Sequence, residues 1–83
     1  KQSHSLVILI AKEKDKVTAV IGIEKNISDI FDANDLIKLI IPILGGKGGG
    51  GRNTLAQGGG NSPENSEKAV KILIEEIEKK LAS

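Results

Sequence analysis

Nine of the ten glycines in this chain fall between Gly45 and Gly60, in the stretch GGKGGGGRNTLAQGGG. Glycine loses more backbone entropy on being fixed than any other residue, so such a tract is either a flexible linker or a loop held in place by its neighbours. Composition leaves the two readings level. The insert Arg52 to Gln57, RNTLAQ, favours order, because a plain linker has no use for a Leu-Ala-Gln segment before three further glycines. The expected arrangement is an ordered loop, a short strand and a second ordered loop.

The rest of the chain divides into recognisable parts around this tract. Ser5 to Lys12, SLVILIAK, is aliphatic and β-branched without polar alternation, the pattern of a strand covered on both faces. After the charged stretch Glu13 to Lys16, which lacks the Asn-Gly of the tightest hairpins, Val17 to Glu24 reads as a second strand antiparallel to the first. Gly22 within it marks either a bulge, a close backbone approach or an ordinary strand glycine. Asn26 to Asn34 mixes turn formers with Ile27, Ile30 and Phe31 and suits a short helical turn or an ordered connector. Asp32 or Asn34 can cap a helix over Asp35 to Leu44, apolar almost all round apart from Lys38; Pro42 loosens its last turn and Gly45 and Gly46 end it. Asn61 and Ser62 offer caps to a last helix that has Pro63 at its first position and runs to about Leu81. Ala69, Val70, Leu73, Ile74, Ile77 and Leu81 form its apolar stripe, and Glu75–Lys79 and Glu76–Lys80 lie four apart on a solvated face.

At 83 residues, the chain is a single domain, 1–83, too small for both an elaborate catalytic cleft and a second unit. Lys and Arg number 12 against 11 Asp and Glu, so net charge alone names no partner. With no Cys and one His, disulfide frameworks, Cys-rich zinc sites, Cys nucleophiles and two-histidine metal motifs are excluded, which fits a reducing cytosol. The longest apolar run, Leu6 to Ala11, is far short of the roughly 20 residues of a membrane-spanning helix, so no membrane partner is expected. Lys1 and Gln2 lead into the first strand with no initiator Met, and the chain is read as a piece of a longer protein.

Few residues offer chemistry. A P-loop needs Gly-Lys followed by Ser or Thr, whereas Lys47 precedes Gly48. Gly46, Gly48 and Gly51 match a dinucleotide fingerprint only trivially, since the tract follows a helix instead of a strand. A single aromatic, Phe31, leaves no platform for stacking bases. What remains is backbone: successive glycine N–H groups can form a concave anion-binding nest, flanked by Lys47 and Arg52. His4 has no metal-ligand partner at a suitable spacing, and Asp29, Asp32 and Asp35 are read as caps and solubilising charges. Lys12, Lys14, Lys16 and Lys25 form either a modest phosphate-contacting patch or a solvated turn.

The order of elements and the motif GGKGGGGRNTLAQGGG resemble the C-terminal, DHH-associated (C-Ala) domain of alanyl-tRNA synthetases, whose pattern reads G-G-K-G-G-G-R-P-D-x-A-Q-x-G-G. Gly45, Gly46, Lys47, three of the next glycines, Arg52, Ala56, Gln57, Gly59 and Gly60 fit in order, and ANDLIKLI resembles the family's helix before the motif. The likeness covers nearly the whole chain. One extra glycine lies in Gly48 to Gly51, and Asn53 and Thr54 stand where the family has Pro and Asp. DHH phosphoesterases carry a similar appended domain, usually with a Gly-Gly-His loop that is missing here.

The resemblance implies a parent alanine–tRNA ligase that uses ATP, Mg and Zn in other domains, acting in cytoplasmic protein biosynthesis. It implies that this fragment is itself non-catalytic and binds the outer corner of tRNA(Ala), supporting aminoacylation and editing beside the rest of the synthetase chain. On that reading Lys47, Arg52, Lys14 and Lys16 contact phosphate, Gly48, Gly49, Gly50 and Gly51 permit close backbone approach, and Gln57 hydrogen-bonds either RNA or its own loop. Two alternatives stand beside it. One is an oligomerisation module pairing through the Asp35 to Leu44 helix or the Ile72 side of the last helix; the other is the substrate-binding appendage of a DHH phosphoesterase. The expected fold is a two-layer α/β (α+β) domain: a small, mixed, mostly antiparallel sheet, with RNTLAQ as a further strand and two main helices packed against it.

Overall fold

A computed structural model describes residues 6–24, 31–46 and 48–82. In chain order the elements are β1 (Leu6–Lys12), β2 (Val17–Ile23), α1 (Ala33–Ile40), β3 (Gly49–Gly51), β4 (Leu55–Gly60) and α2 (Ser66–Ala82), the last entered through a 3₁₀ turn at Pro63–Asn65. The sheet has the order β1-β2-β4-β3 and every neighbouring pair is antiparallel. α1 lies over β2, β4 and β3, with α2 beside it, which gives the expected two layers. His4, Lys25, the connector residues 26–30 and Lys47 lie outside the described residues.

The β1–β2 hairpin closes where the Glu13 N–H donates to the Lys16 carbonyl at 2.8 Å, leaving only Lys14 and Asp15 between them. Among the described residues no non-glycine has a positive φ, so the turn forms without the left-handed pair that Asn-Gly would supply. In β2, Val17, Ala19, Ile21 and Ile23 are buried. β1 departs from its sequence pattern: Leu6, Ile8 and Ile10 meet the core, but Val7 and Leu9 are 48% and 60% exposed. Both helices lie on one side of the sheet, so the second apolar face of β1 has no cover among the described residues.

Asp32 caps α1, its Oδ1 accepting from the N–H groups of Asn34 at 2.9 Å and Asp35 at 3.3 Å. The helix ends at Ile40, earlier than the expected Leu44, because Pro42 has no N–H to continue the ladder. The chain closes instead in a Schellman turn: Gly46 N–H donates to Ile41 O at 2.9 Å and Gly45 N–H to Pro42 O at 3.2 Å, with Gly45 at φ 79°. The wide apolar face of this helix, read from the sequence as a possible pairing surface, is core instead. Leu36, Ile37, Ile40, Ile41 and Leu44 are all buried, as is Phe31.

The glycine runs flanking RNTLAQ, expected as loops, are strands. β3 is Gly49–Gly51, and β4 continues past Gln57 through Gly58, Gly59 and Gly60. Their ladder is possible because α1 and the turn after it sit directly on them: a Cβ at Gly58 would strike Ile41 Cδ1, and one at Gly60 would strike the Leu44 carbonyl. Neither Asn61 nor Ser62 caps the last helix as expected. Ser62 occupies the N-cap of the 3₁₀ turn without a side-chain hydrogen bond. The junction is held by Ser62 N–H to Leu44 O at 2.9 Å and Asn65 Nδ2 to Ile43 O at 3.0 Å. Along α2, Ala69 and Leu73 are buried and Ile77 packs on the core, while Ile74 and Leu81 stand exposed.

Candidate nucleic-acid interface

Antiparallel pairing of β2 with β4 sets Val17 opposite Gly60 and Thr18 opposite Gly59. The end of the β1–β2 hairpin therefore meets the end of β4, and the Schellman turn after α1 arrives at the same place, with Gly46 against Gly59. These three segments enclose an open cavity of about 400 Å³ lined by Lys16, Val17, Thr18, Gly45, Gly46, Gly59, Gly60 and Asn61. Much of its wall is main chain, bare because four glycines line it, with the Lys16 ammonium and the polar side chains of Thr18 and Asn61 at hand. The Gly45 and Gly46 N–H groups are spent in the Schellman turn and Gly60 pairs with Val17, so what the surface offers an anion is close approach to bare main chain beside the Lys16 ammonium and the Thr18 and Asn61 side chains.

The sequence-predicted residues divide between two places. Lys16 lines this cavity and Lys14 is exposed at the adjoining hairpin turn. Gly48 and Gly49, with Gly46 and Lys38, border a second recess of about 260 Å³ on the other side of the Schellman turn. Lys47, outside the described residues, is covalently bracketed by Gly46 of the first recess and Gly48 of the second. Arg52, Gly50, Gly51 and Gln57 belong elsewhere. Arg52 opens the β3–β4 turn, its N–H donating to Leu55 O at 2.7 Å, and Leu55 is the start of the strand whose end borders the cavity. Five residue steps along β4 separate those ends, roughly 17 Å, so Arg52 and Lys16 do not converge on one anion.

Gln57 pairs through its backbone with Val20 on one side and Gly50 on the other, and its side chain is exposed on the open sheet face. It does not brace a loop, because there is no loop at that position. Asn53 and Thr54, the departures from the family pattern, serve through their carbonyls, which accept from Ala33 N–H and Ile23 N–H, both at 2.8 Å. Asn34 Oδ1 is buried beside Gly50 with no hydrogen-bond partner. The nest of consecutive free N–H groups is not formed either. Gly50 and Gly58 to Gly60 enter ladders, and the main-chain groups left over are those at the strand ends and along the outer edge of β3.

Sequence reasoning missed Thr18, Asn61 and the two flanking glycine pairs as cavity residues. Their proximity depends on the Val17–Gly60 register, which no local motif announces. Among the described residues no group of His, Cys, Asp and Glu could hold a metal ion. No helix among those residues is long and apolar enough to cross a membrane.

Comparison with known proteins agrees with this fold. The DHHA1 domain family matches residues 1–79. Alanine–tRNA ligases of Staphylococcus aureus strains JH9 and Newman are each 42% identical over 77 residues, which is 93% of this chain and 9% of theirs. The chain thus spans about a tenth of the length of those relatives. The crystal structure of the C-Ala domain from Aquifex aeolicus alanyl-tRNA synthetase superposes with a TM-score of 0.79 at 44% identity, over 84% of this chain and 62% of that one.

Proposed function

The chain belongs to the DHHA1 domain family, and from that membership we propose that it is the C-terminal RNA-binding module of an alanyl-tRNA synthetase, gripping the outer corner of tRNA(Ala) through sugar-phosphate contacts. The observation that carries the reading is the cavity at the Gly60 end of β4, where main chain freed of side chains lies beside Lys16. Bare main chain lets a phosphate come close enough to meet the side-chain donors around it, those of Lys16, Thr18 and Asn61. Lys14 on the neighbouring turn supplies further positive charge at the same end of the domain, and Lys47 follows Gly46 in the sequence.

On this reading the fragment performs no chemistry. It adds affinity and orientation to a parent ligase whose ATP-dependent alanylation and editing reside in other domains, and no step of the binding runs through a metal or nucleotide. Recognition is of backbone shape, since the chain has one aromatic residue and that one is core.

The test is a titration with full-length tRNA(Ala) and with an acceptor-stem minihelix lacking the corner, each over a range of salt. Tight binding to the full tRNA alone is expected, with a log–log salt slope of roughly two, as for a small number of phosphate contacts. Lys16→Ala should lower that slope by about one unit without changing the melting temperature. Equal binding of the minihelix would remove corner recognition; an unchanged slope in Lys16→Ala would remove the cavity from the interface.

A further inference from the structure

Most glycines of the described residues stand where a Cβ would collide with main chain or a packed side chain, and Gly22 does not. It lies within β2, between β1 and β4, at a φ outside the left-handed region. A Cβ there would meet only Leu55 Cδ1 at 3.9 Å, an ordinary contact. Glycine weakens the interior of a strand, so its place here calls for a reason outside the described residues, and close approach of another segment is such a reason.

The face that Gly22 leaves bare is the open one, away from both helices. Its neighbours across the ladder are Val7 of β1 and Leu55 of β4, both exposed. Two residues along, exposed Leu9 stands beside Val20. Gly22 is thus the floor of a channel along β2 with apolar walls on either side. A recess of about 300 Å³ opens beside Leu55 and Val20. The walls, on β1 and β4, are two strand spacings apart, about 9.5 Å, which is close to the diameter of a helix with its side chains, about 10–12 Å.

We infer that this open face seats an amphipathic helix from elsewhere in the parent synthetase, lying along β2 and coming closest to the sheet over Gly22. Phosphate is a poor occupant, because the open-face positions of β1, β2 and β4 carry no charged side chain. Bases are another, because the single aromatic residue is core. A helix fits the width of the channel, and its apolar residues at i and i+4 span about one turn, 5.4 Å, against the roughly 6.8 Å between the Val7 and Leu9 rows. Polypeptide to supply it exists in the relatives: this chain spans about a tenth of the ligases it matches, and more than a third of the solved C-Ala domain lies outside the likeness. A helix there would cover β1 on its second face, as its unbroken apolar sequence requires, and make the sheet the middle of three layers. The inference rests on the chain being part of a synthetase and not on its grip on RNA, since Gly22 is five residue steps along β2 from Val17 of the Lys16 cavity, roughly 17 Å.

The chain has no Cys, so Leu55→Cys gives this domain a single thiol. Its reaction with a maleimide is compared in this chain alone and in the full-length ligase that carries it, both free of RNA, with the labelled peptide identified by mass. Labelling at position 55 should be at least about tenfold slower in the ligase, whereas Asp15→Cys, at the exposed hairpin turn, should react equally in both. Gly22→Thr should leave this chain folded and melting no lower, and in the ligase it should restore labelling of Leu55→Cys to the rate of the chain alone. Equal labelling of Leu55→Cys in chain and ligase would overturn the inference, as would protection that survives Gly22→Thr or appears only when tRNA(Ala) is added. Protection of this chain alone as its concentration rises would also overturn it, by making the occupant a second copy. Failure of tRNA binding in the salt titration, with Leu55→Cys still protected in the ligase, would remove the RNA reading and support this one.

Discussion

Gly60→Ala tests why the glycines are there. A Cβ at Gly60 would meet the Leu44 carbonyl oxygen and lie 2.6 Å from both the Leu44 carbonyl carbon and the Gly46 nitrogen. All are main-chain atoms, so no rotamer change relieves the overlap, and the Schellman turn has to move off the strand. Overpacking a close-packed site costs about 1–3 kcal/mol. The displaced carbonyl also accepts the Ser62 N–H at 2.9 Å, a bond whose loss adds about 1 kcal/mol. The sum, about 2–4 kcal/mol, lowers the melting temperature of a domain this small by roughly 10–25 °C. Gly48→Ala is the control, because nothing lies within 4 Å of a Cβ there and its φ is outside the left-handed region. It should be neutral or raise stability by about 0.4–1 kcal/mol through the unfolded state. Urea denaturation of both variants, followed by circular dichroism, measures the difference. If Gly60→Ala fell within about 0.5 kcal/mol of the parent chain, the tract would owe its composition to something other than close packing of α1 and its turn on β4.

Two further outcomes follow from the same geometry. Gly58→Ala meets Ile41 Cδ1, a side-chain tip, so its cost should be about 1–2 kcal/mol and should shrink when combined with Ile41→Val, giving a coupling of about 1 kcal/mol in a double-mutant cycle; strict additivity would mean that the contact is not the cause. Asp32→Ala removes the acceptor for the Asn34 and Asp35 N–H groups and should destabilise by about 1 kcal/mol in urea melts, with Asp32→Asn nearly neutral.

What the sequence made legible were features that follow from residues near one another in the chain. Both strands of the first hairpin, the Asp32 cap, the glycine-ended helix and the long last helix each follow from period, cap or breaker. The strands built of glycine were not legible, since glycine ranks low in every strand propensity. They form because Ile41 and Leu44 lie against them, a tertiary contact that rewards the absence of a side chain. The site was legible as a list of charges but not as a place. Lys16 and Arg52 look like members of one basic cluster until the β2–β4 register sends them to opposite ends of a strand.

That separation alters how the glycine motif should be understood. Were its N–H groups free, the motif would itself be the anion receptor, and any of its glycines could be exchanged for its backbone alone. Instead the ladder and the packed turn take up most of those groups, and Gly58 and Gly60 are fixed by what lies on the helix side of them, Gly59 by the Val17 main chain of the neighbouring strand. At this end of the domain bare main chain meets solvent where the packed layers end, at the Gly45–Gly46 turn and at Gly59–Gly60, and the hairpin delivers Lys16 to that spot. On the proposed function, binding capacity is thus a by-product of how closely α1 sits on the sheet. A substitution that pushes the turn away, such as Gly60→Ala, should weaken RNA binding more than its loss of stability explains, because it widens the recess in the molecules that remain folded. Arg52→Ala, about a strand length away, should leave both the recess and the Lys16-dependent salt slope as they are.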